Sequence, residues 1–112
     1  MKLRLEPHLL RLRLDDADLA EFARAGRLSC TLHLGPAPAQ TLRYTLEQGP
    51  ASDKGAEELK LHYASGQILV QLSAAWATEW LDSKKISLSS QIDVGDGAEL
   101  RIIVEKDLGY QH

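Results

Sequence analysis

The chain reads as an α+β protein: two duplicated ββαββ units with pseudo-twofold symmetry, forming a mainly antiparallel β-barrel or two-sheet sandwich with two short helices. Three observations predict this. The stretch LRLRLDDADLAEF, Leu10 to Phe22, returns as ILVQLSAAWATEW, Ile68 to Trp80; the same offset of 58 positions carries Lys2 onto Lys60 and Glu47 onto Glu105 without a gap. Apolar and polar residues alternate in eight short runs, the period of half-buried strands. In each unit the alternation gives way once to helical spacing, behind an Asp or Ser able to cap a helix.

The first unit opens with Leu3, Leu5, Leu10, Leu12 and Leu14 alternating with Lys2, Arg4, Arg11 and Arg13, broken at Pro7-His8, where proline cannot donate to a ladder. This is a hairpin with a basic outer face. Asp15 or Asp16 then opens a helix of about three turns, and Asp18 adds a further carboxylate near the positive end of its dipole. Leu19, Phe22 and Ala23 form its buried stripe, and Gly26 suits a left-handed end. Leu28, Cys30, Leu32 and Leu34 point inward from the third strand, Gly35 to Gln40 is a loop, and Leu42, Tyr44 and Leu46 mark the fourth strand.

The second unit repeats that order. Leu59, Leu61 and Tyr63 face inward, Ser65-Gly66 turns, and Ile68, Val70 and Leu72 return. Ser73 caps the second helix. Ile86, Leu88 and Ile92 mark the seventh strand, Asp93 to Ala98 its loop, and Leu100, Ile102 and Val104 the eighth. Lys2, Leu3, Leu14, Ala17, Glu21, Ser29, Leu42, Arg43 and Glu47 recur unchanged at the offset. Residues 1–112 thus form one domain, with repeat units 1–47 and 59–105 and a linker at 48–58.

With 112 residues, 44% of them hydrophobic and 26% charged, the chain can bury a core without a metal or disulfide. Its lone cysteine, Cys30, cannot close an intramolecular disulfide and fits a reducing compartment. Charged residues interrupt the leucines near the start, so no signal peptide is expected, and no apolar run is long enough for a membrane span; the expected location is cytoplasmic. A net charge of −3 disfavours nucleic acid as a partner.

No catalytic or ligand-binding motif of any specificity accompanies the repeat. Cys30-x-x-His33 has zinc-binding residue types, but an offset of three puts the two on opposite faces of a strand. His62 points outward and would need neighbouring strands to meet His33. Glu21 and Glu79, at equivalent helix positions, resemble an acid and base pair only in composition. The loop Asp93-Val94-Gly95-Asp96-Gly97 lacks calcium-loop spacing. Trp76, aligned with the solvent-facing Asp18, is expected on the flank of the buried stripe that holds Trp80, partly exposed and able to anchor a partner. Leu69 and Ile103 have outward parity and call for a covering surface.

The opening MKLRL followed by LRLRL and an acidic helix cap, the segment ILVQLSAAWATEW, and the closing LRIIVEKDLGY together resemble a family of small bacterial proteins, a domain of unknown function. The pattern of that family has an aromatic and then a cysteine after the VEKD run, where Leu108 and Tyr110 stand here. The resemblance implies a bacterial cytoplasmic protein and no catalytic residue, and the departure argues against a thiol function there.

The first expectation is a non-enzymatic protein-binding or assembly module, a homodimer or the holder of a protein partner, using Trp76, Trp80, Leu69 and Ile103. The second is a small-molecule or phosphate-ligand-binding barrel using Lys2, Arg4, Arg11, Arg13 and Arg43. An enzyme of unidentified class comes third and needs His33, His62, Glu21 or Glu79 to converge. No cofactor, metal site or catalytic residue is assigned.

Overall fold

Alternation decides the strands, and the computed structural model, which describes residues 1–49 and 58–107, orders them as β1 (Lys2–Glu6), β2 (Leu9–Leu14), α1 (Asp16–Ala25), β3 (Arg27–His33), β4 (Thr41–Gly49), β5 (Lys60–Ala64), β6 (Gln67–Ser73), α2 (Ala74–Asp82), β7 (Ser87–Gly95) and β8 (Ala98–Lys106). Most of the expected linker, and the positions of Leu108 and Tyr110, lie outside the described residues.

The helices begin and end for local reasons. Asp15 and Asp18 form a reciprocal capping box at α1, each carboxylate accepting from the other's backbone N–H, and Gly26 ends the helix at φ 73°. Ser73 caps α2 through Trp76 N at 3.1 Å. The α1 stripe is narrower than its spacing predicts: Phe22 is buried, Leu19 half-buried and Ala23 exposed. Ser65 and Gly66, at φ 49° and 77°, make the two-residue turn between β5 and β6, the left-handed pair that matches strand twist. A side chain at Gly66 would also meet the Thr41 carbonyl at 2.8 Å.

The strands form two four-stranded sheets, β1-β2-β8-β7 and β3-β4-β6-β5. Each joins two antiparallel hairpins through one parallel pair, β2 with β8 and β4 with β6. The first sheet carries Leu10 opposite Ile102 and Lys2 opposite Arg13; the second carries Ile68 opposite Tyr44 and Lys60 opposite Gln71, the same registers displaced by 58 positions. The offset has a gap, however. Arg27 pairs with Glu47 and Ser87 with Glu105, so β7 lies two residues later than a constant offset places it, the extra length falling between α2 and β7. Ile86 accordingly precedes β7 and is exposed, while β7 runs on to Gly95 through an irregularity and leaves a tighter turn than the expected loop.

A closed barrel does not form. Among the described residues no ladder joins the two sheets: Tyr44 Oη, from the inner strand β4, donates to Met1 O at 3.2 Å beside Cys30 Sγ of edge strand β3, and Leu59 N, just before edge strand β5, donates to Ser90 Oγ of edge strand β7 at 2.8 Å. Such single contacts join the sheets without continuing strand pairing. Between the sheets, Leu12, Leu14, Leu46, Leu72, Leu88, Ile102 and Val104 are buried together with Phe22 and Trp80 from the helices. Each fully buried aliphatic side chain contributes about 1.5–3 kcal/mol. The helices cover one end of this core and the four hairpin turns lie at the other.

Candidate anion-binding groove

Antiparallel register concentrates charge on the outer face of the first sheet. Lys2 stands opposite Arg13 and Arg4 opposite Arg11. Directly opposed residues have Cβ atoms about 4.5–5.5 Å apart, where like charges destabilise a ladder. These four cations and Leu3 line a groove of about 320 Å³. That volume lies at the lower end of the range of small-ligand sites.

Three carboxylates temper the groove. Parallel pairing puts β8 beside β2 with Glu105 opposite Arg13, and its Oε1 lies 2.9 Å from Arg11 Nε while Oε2 lies 3.7 Å from Arg13 Nη2. The Arg11 contact is a charge contact only. Despite the 2.9 Å separation, the buried Nε–H has no hydrogen-bond partner among the described residues, so its direction misses the carboxylate. Arg4 pairs with Glu6 on its own strand at 2.8 Å, and Lys2 approaches Asp107 at 3.9 Å. With Lys2 and Arg4 largely exposed, these outer pairs contribute little to stability. Arg43, grouped with the four by sequence, stands on β4 in the other sheet.

The corresponding hairpin of the second sheet has a groove of its own, about 560 Å³, lined by Leu61, His62, Tyr63, Ala64, Gln67 and Leu69. Its chemistry is different. Here Gln71 Nε2 donates to Glu47 Oε1 at 2.9 Å, which fixes the amide, so His62 Nε2 donates to Gln71 Oε1 at 3.1 Å. Arg27 lies 3.6 Å from the same Glu47. Sequence reasoning paired neither Glu105 nor Glu47 with these faces, although both have outward parity on strands whose neighbours are set by the parallel pairings.

The residues expected at an interface are mostly covered. Trp76 is only 6% exposed and Trp80 1%, so Trp76 is a core residue and not a flanking one. Its counterpart Asp18 explains the misreading: that carboxylate turns toward the Met1 amino group at 2.7 Å instead of toward water. Burial opposes both charges, yet their mutual hydrogen bond and attraction prevail, leaving the amine above its ordinary range and the carboxyl below its own. Ile103, outward by parity and opposite Arg11, is 8% exposed; long arginine stems cover apolar neighbours in this way. Leu69 is half-buried.

His33 and His62 stand on β3 and β5, the two opposite edges of the second sheet, with β4 and β6 between them. They do not converge. Glu21 is bound to Arg24 on the surface of α1 at 2.6 Å, and Glu79 is exposed on α2. Cys30 sits at the sheet edge beside Tyr44, where burial first and the thiol second push the phenol above its usual range. Among the described residues no three His, Cys, Asp or Glu side chains are grouped to hold a metal, and no helix is long and apolar enough to cross a membrane.

No curated protein and no solved structure matches the chain. A family model does, over residues 1–110, and the chain belongs to that family, described as a family of unknown function (DUF7009).

Proposed function

We propose that this member of a family of unknown function is a non-enzymatic binding module whose ligand surface is the basic groove on β1 and β2, and that the ligand is a small anion bearing phosphate or carboxylate. The observation that carries the reading is the pair of directly opposed cation pairs, Lys2 with Arg13 and Arg4 with Arg11, lining one concave face. Repulsion between them weakens the ladder, and a bound anion relieves it. Calorimetric titration of the chain with inorganic phosphate and phenyl phosphate tests the reading. Binding that disappears in the double variant Arg11→Leu/Arg13→Gln is expected; wild-type protein that takes up no anion at millimolar concentration overturns it.

The chain is read further as a duplicated, pseudo-symmetric unit. Support comes from the two parallel pairings and the two first hairpins, whose registers agree at one offset. On that reading the grooves are two copies of one device, of which one kept or acquired charge.

A second reading, a protein-binding or self-associating module, draws on the turn-bearing end of the core. Leu5, Leu32, Leu34, Tyr63 and Val94, all of inward parity, are exposed there. Analytical ultracentrifugation across concentration tests it, with a dimer expected and a monomer at every concentration opposing it.

A further inference from the structure

We infer that Glu105, on β8 at the flank of the residues that line the basic groove, is a tethered competitor for Arg11 and Arg13 and acts as the groove's selectivity filter, so that monocarboxylates are refused and the ligand is a dianionic phosphate monoester. This rests on the groove being the binding surface proposed above. The geometry is that of a competitor already seated: one carboxylate reaches Arg11 with one oxygen and Arg13 with the other, from the neighbouring strand β8. Because Glu105 is tethered, its effective concentration at the arginines is on the order of millimolar or more. A free monocarboxylate offers the same charge and the same two oxygens without the tether, so it gains nothing by replacing Glu105.

A phosphate monoester differs in two respects. It carries close to two negative charges near neutral pH and presents three acceptor oxygens. Three oxygens can serve Arg4, Arg11 and Arg13 together, with Lys2 completing the four cations around the groove. The imperfect contact at Arg11, whose buried Nε–H is not satisfied by Glu105, leaves a donor that a better-placed oxygen can use. Arg4 is half of an exposed pair with Glu6 and is therefore readily released.

The second sheet provides the internal contrast. There the equivalent glutamate, Glu47, meets the neutral Gln71 and a single arginine, Arg27, and the opposed positions are Lys60 with Gln71 and His62 with Leu69. Glu47 contacts neither of the opposed cation pairs, whereas Glu105 contacts one member of each. The filter is confined to the first sheet.

The test is calorimetric titration of wild type and Glu105→Gln with phenyl phosphate, inorganic phosphate, sulfate and acetate at constant ionic strength. Wild type should bind the phosphates and not acetate. E105Q should bind phenyl phosphate roughly fivefold more tightly, the effect of removing one like charge near a solvated anion, and should now bind acetate measurably. Unchanged or weakened phosphate binding in E105Q, with wild type still binding, overturns the filter while leaving the groove as the binding surface. Absence of anion binding in both proteins overturns the groove and the filter together. A second readout needs no variant: in wild-type chain carrying carbon-13 in its glutamates, phenyl phosphate should shift the Glu105 carboxyl resonance and acetate should not, and a resonance unmoved by bound phosphate overturns the filter.

Discussion

The hairpins β1–β2 and β5–β6 share a register and a largely aliphatic inward face, yet their outer faces are opposites. One carries Lys2, Arg4, Arg11 and Arg13; the other, at the equivalent positions, Lys60, His62, Leu69 and Gln71. Since the second hairpin forms the same ladder without opposed like charges, the charge on the first is not required by the fold. Inner faces answer to packing and outer faces are free to specialise.

Equal packing demand is the first part of that comparison to break. Leu14 and Leu72 occupy matching positions and are both buried, so Leu14→Ala and Leu72→Ala should each cost about 2–5 kcal/mol in denaturant unfolding. A large cost at one and almost none at the other would show that the two halves are not packed alike. Next comes the helix that the second half uses as a lid. Trp80 fills the core while its indole donates to Ile86 O at 3.1 Å, and Lys106 donates to the Trp80 and Ser83 carbonyls, both at 2.8 Å. Trp80→Phe should therefore cost about 1–3 kcal/mol, from the lost hydrogen bond and the lost volume, although Ile86 O keeps the Lys106 N–H at 2.9 Å, read as a lower melting temperature.

Grafting the second hairpin's chemistry onto the first is a finer test. Arg11→Leu/Arg13→Gln should raise stability by roughly 0.5–1 kcal/mol at low salt, because repulsion is relieved, and the gain should shrink as salt screens the parent. A loss of stability would mean that the contacts with Glu105 outweigh the repulsion.

The Asp18 contact with Met1 sharpens the comparison between helices. The depressed carboxyl stabilises above its unfolded value of about 3.9 and loses that contribution as pH falls through its folded value. The raised amine contributes fully below its unfolded value of about 8, a contribution lost as pH rises through the folded one. Asp18→Asn should abolish both dependences, so melting curves for variant and parent converge at the acid and alkaline extremes and separate between them. The smallest effect is expected at Trp76, whose indole N–H is buried without a partner among the described residues. Trp76→Phe removes that unsatisfied donor and should change stability by less than about 1 kcal/mol.

What could be read in advance was local. Asp15, Ser73, Gly26 and Ser65-Gly66 act on groups within a few residues of themselves, so their cap and turn chemistry is written where it operates. Strand adjacency is not local. Nothing near Arg13 announces that Glu105 will lie opposite it, because a parallel pair leaves no turn between its members. The basic ribbon was therefore legible, whereas the glutamate between its arginines was not. The burial of Trp76 is hidden in the sequence for a related reason: nothing beside its counterpart Asp18 shows that this carboxylate pairs with the Met1 amino group.

The parallel pairing of β2 with β8 also has a consequence for the order of events during synthesis. Leu10 must wait for Ile102, so on the ribosome the first hairpin exists long before its sheet can close, and folding controlled by so distant a contact is slow. Meanwhile β2 is an unpaired edge, the kind of surface on which nascent chains aggregate. Arg11 and Arg13, uncompensated until Glu105 emerges, keep that edge repellent to other copies for as long as it is open, and the arrival of β8 offsets part of their charge as it pairs with the edge.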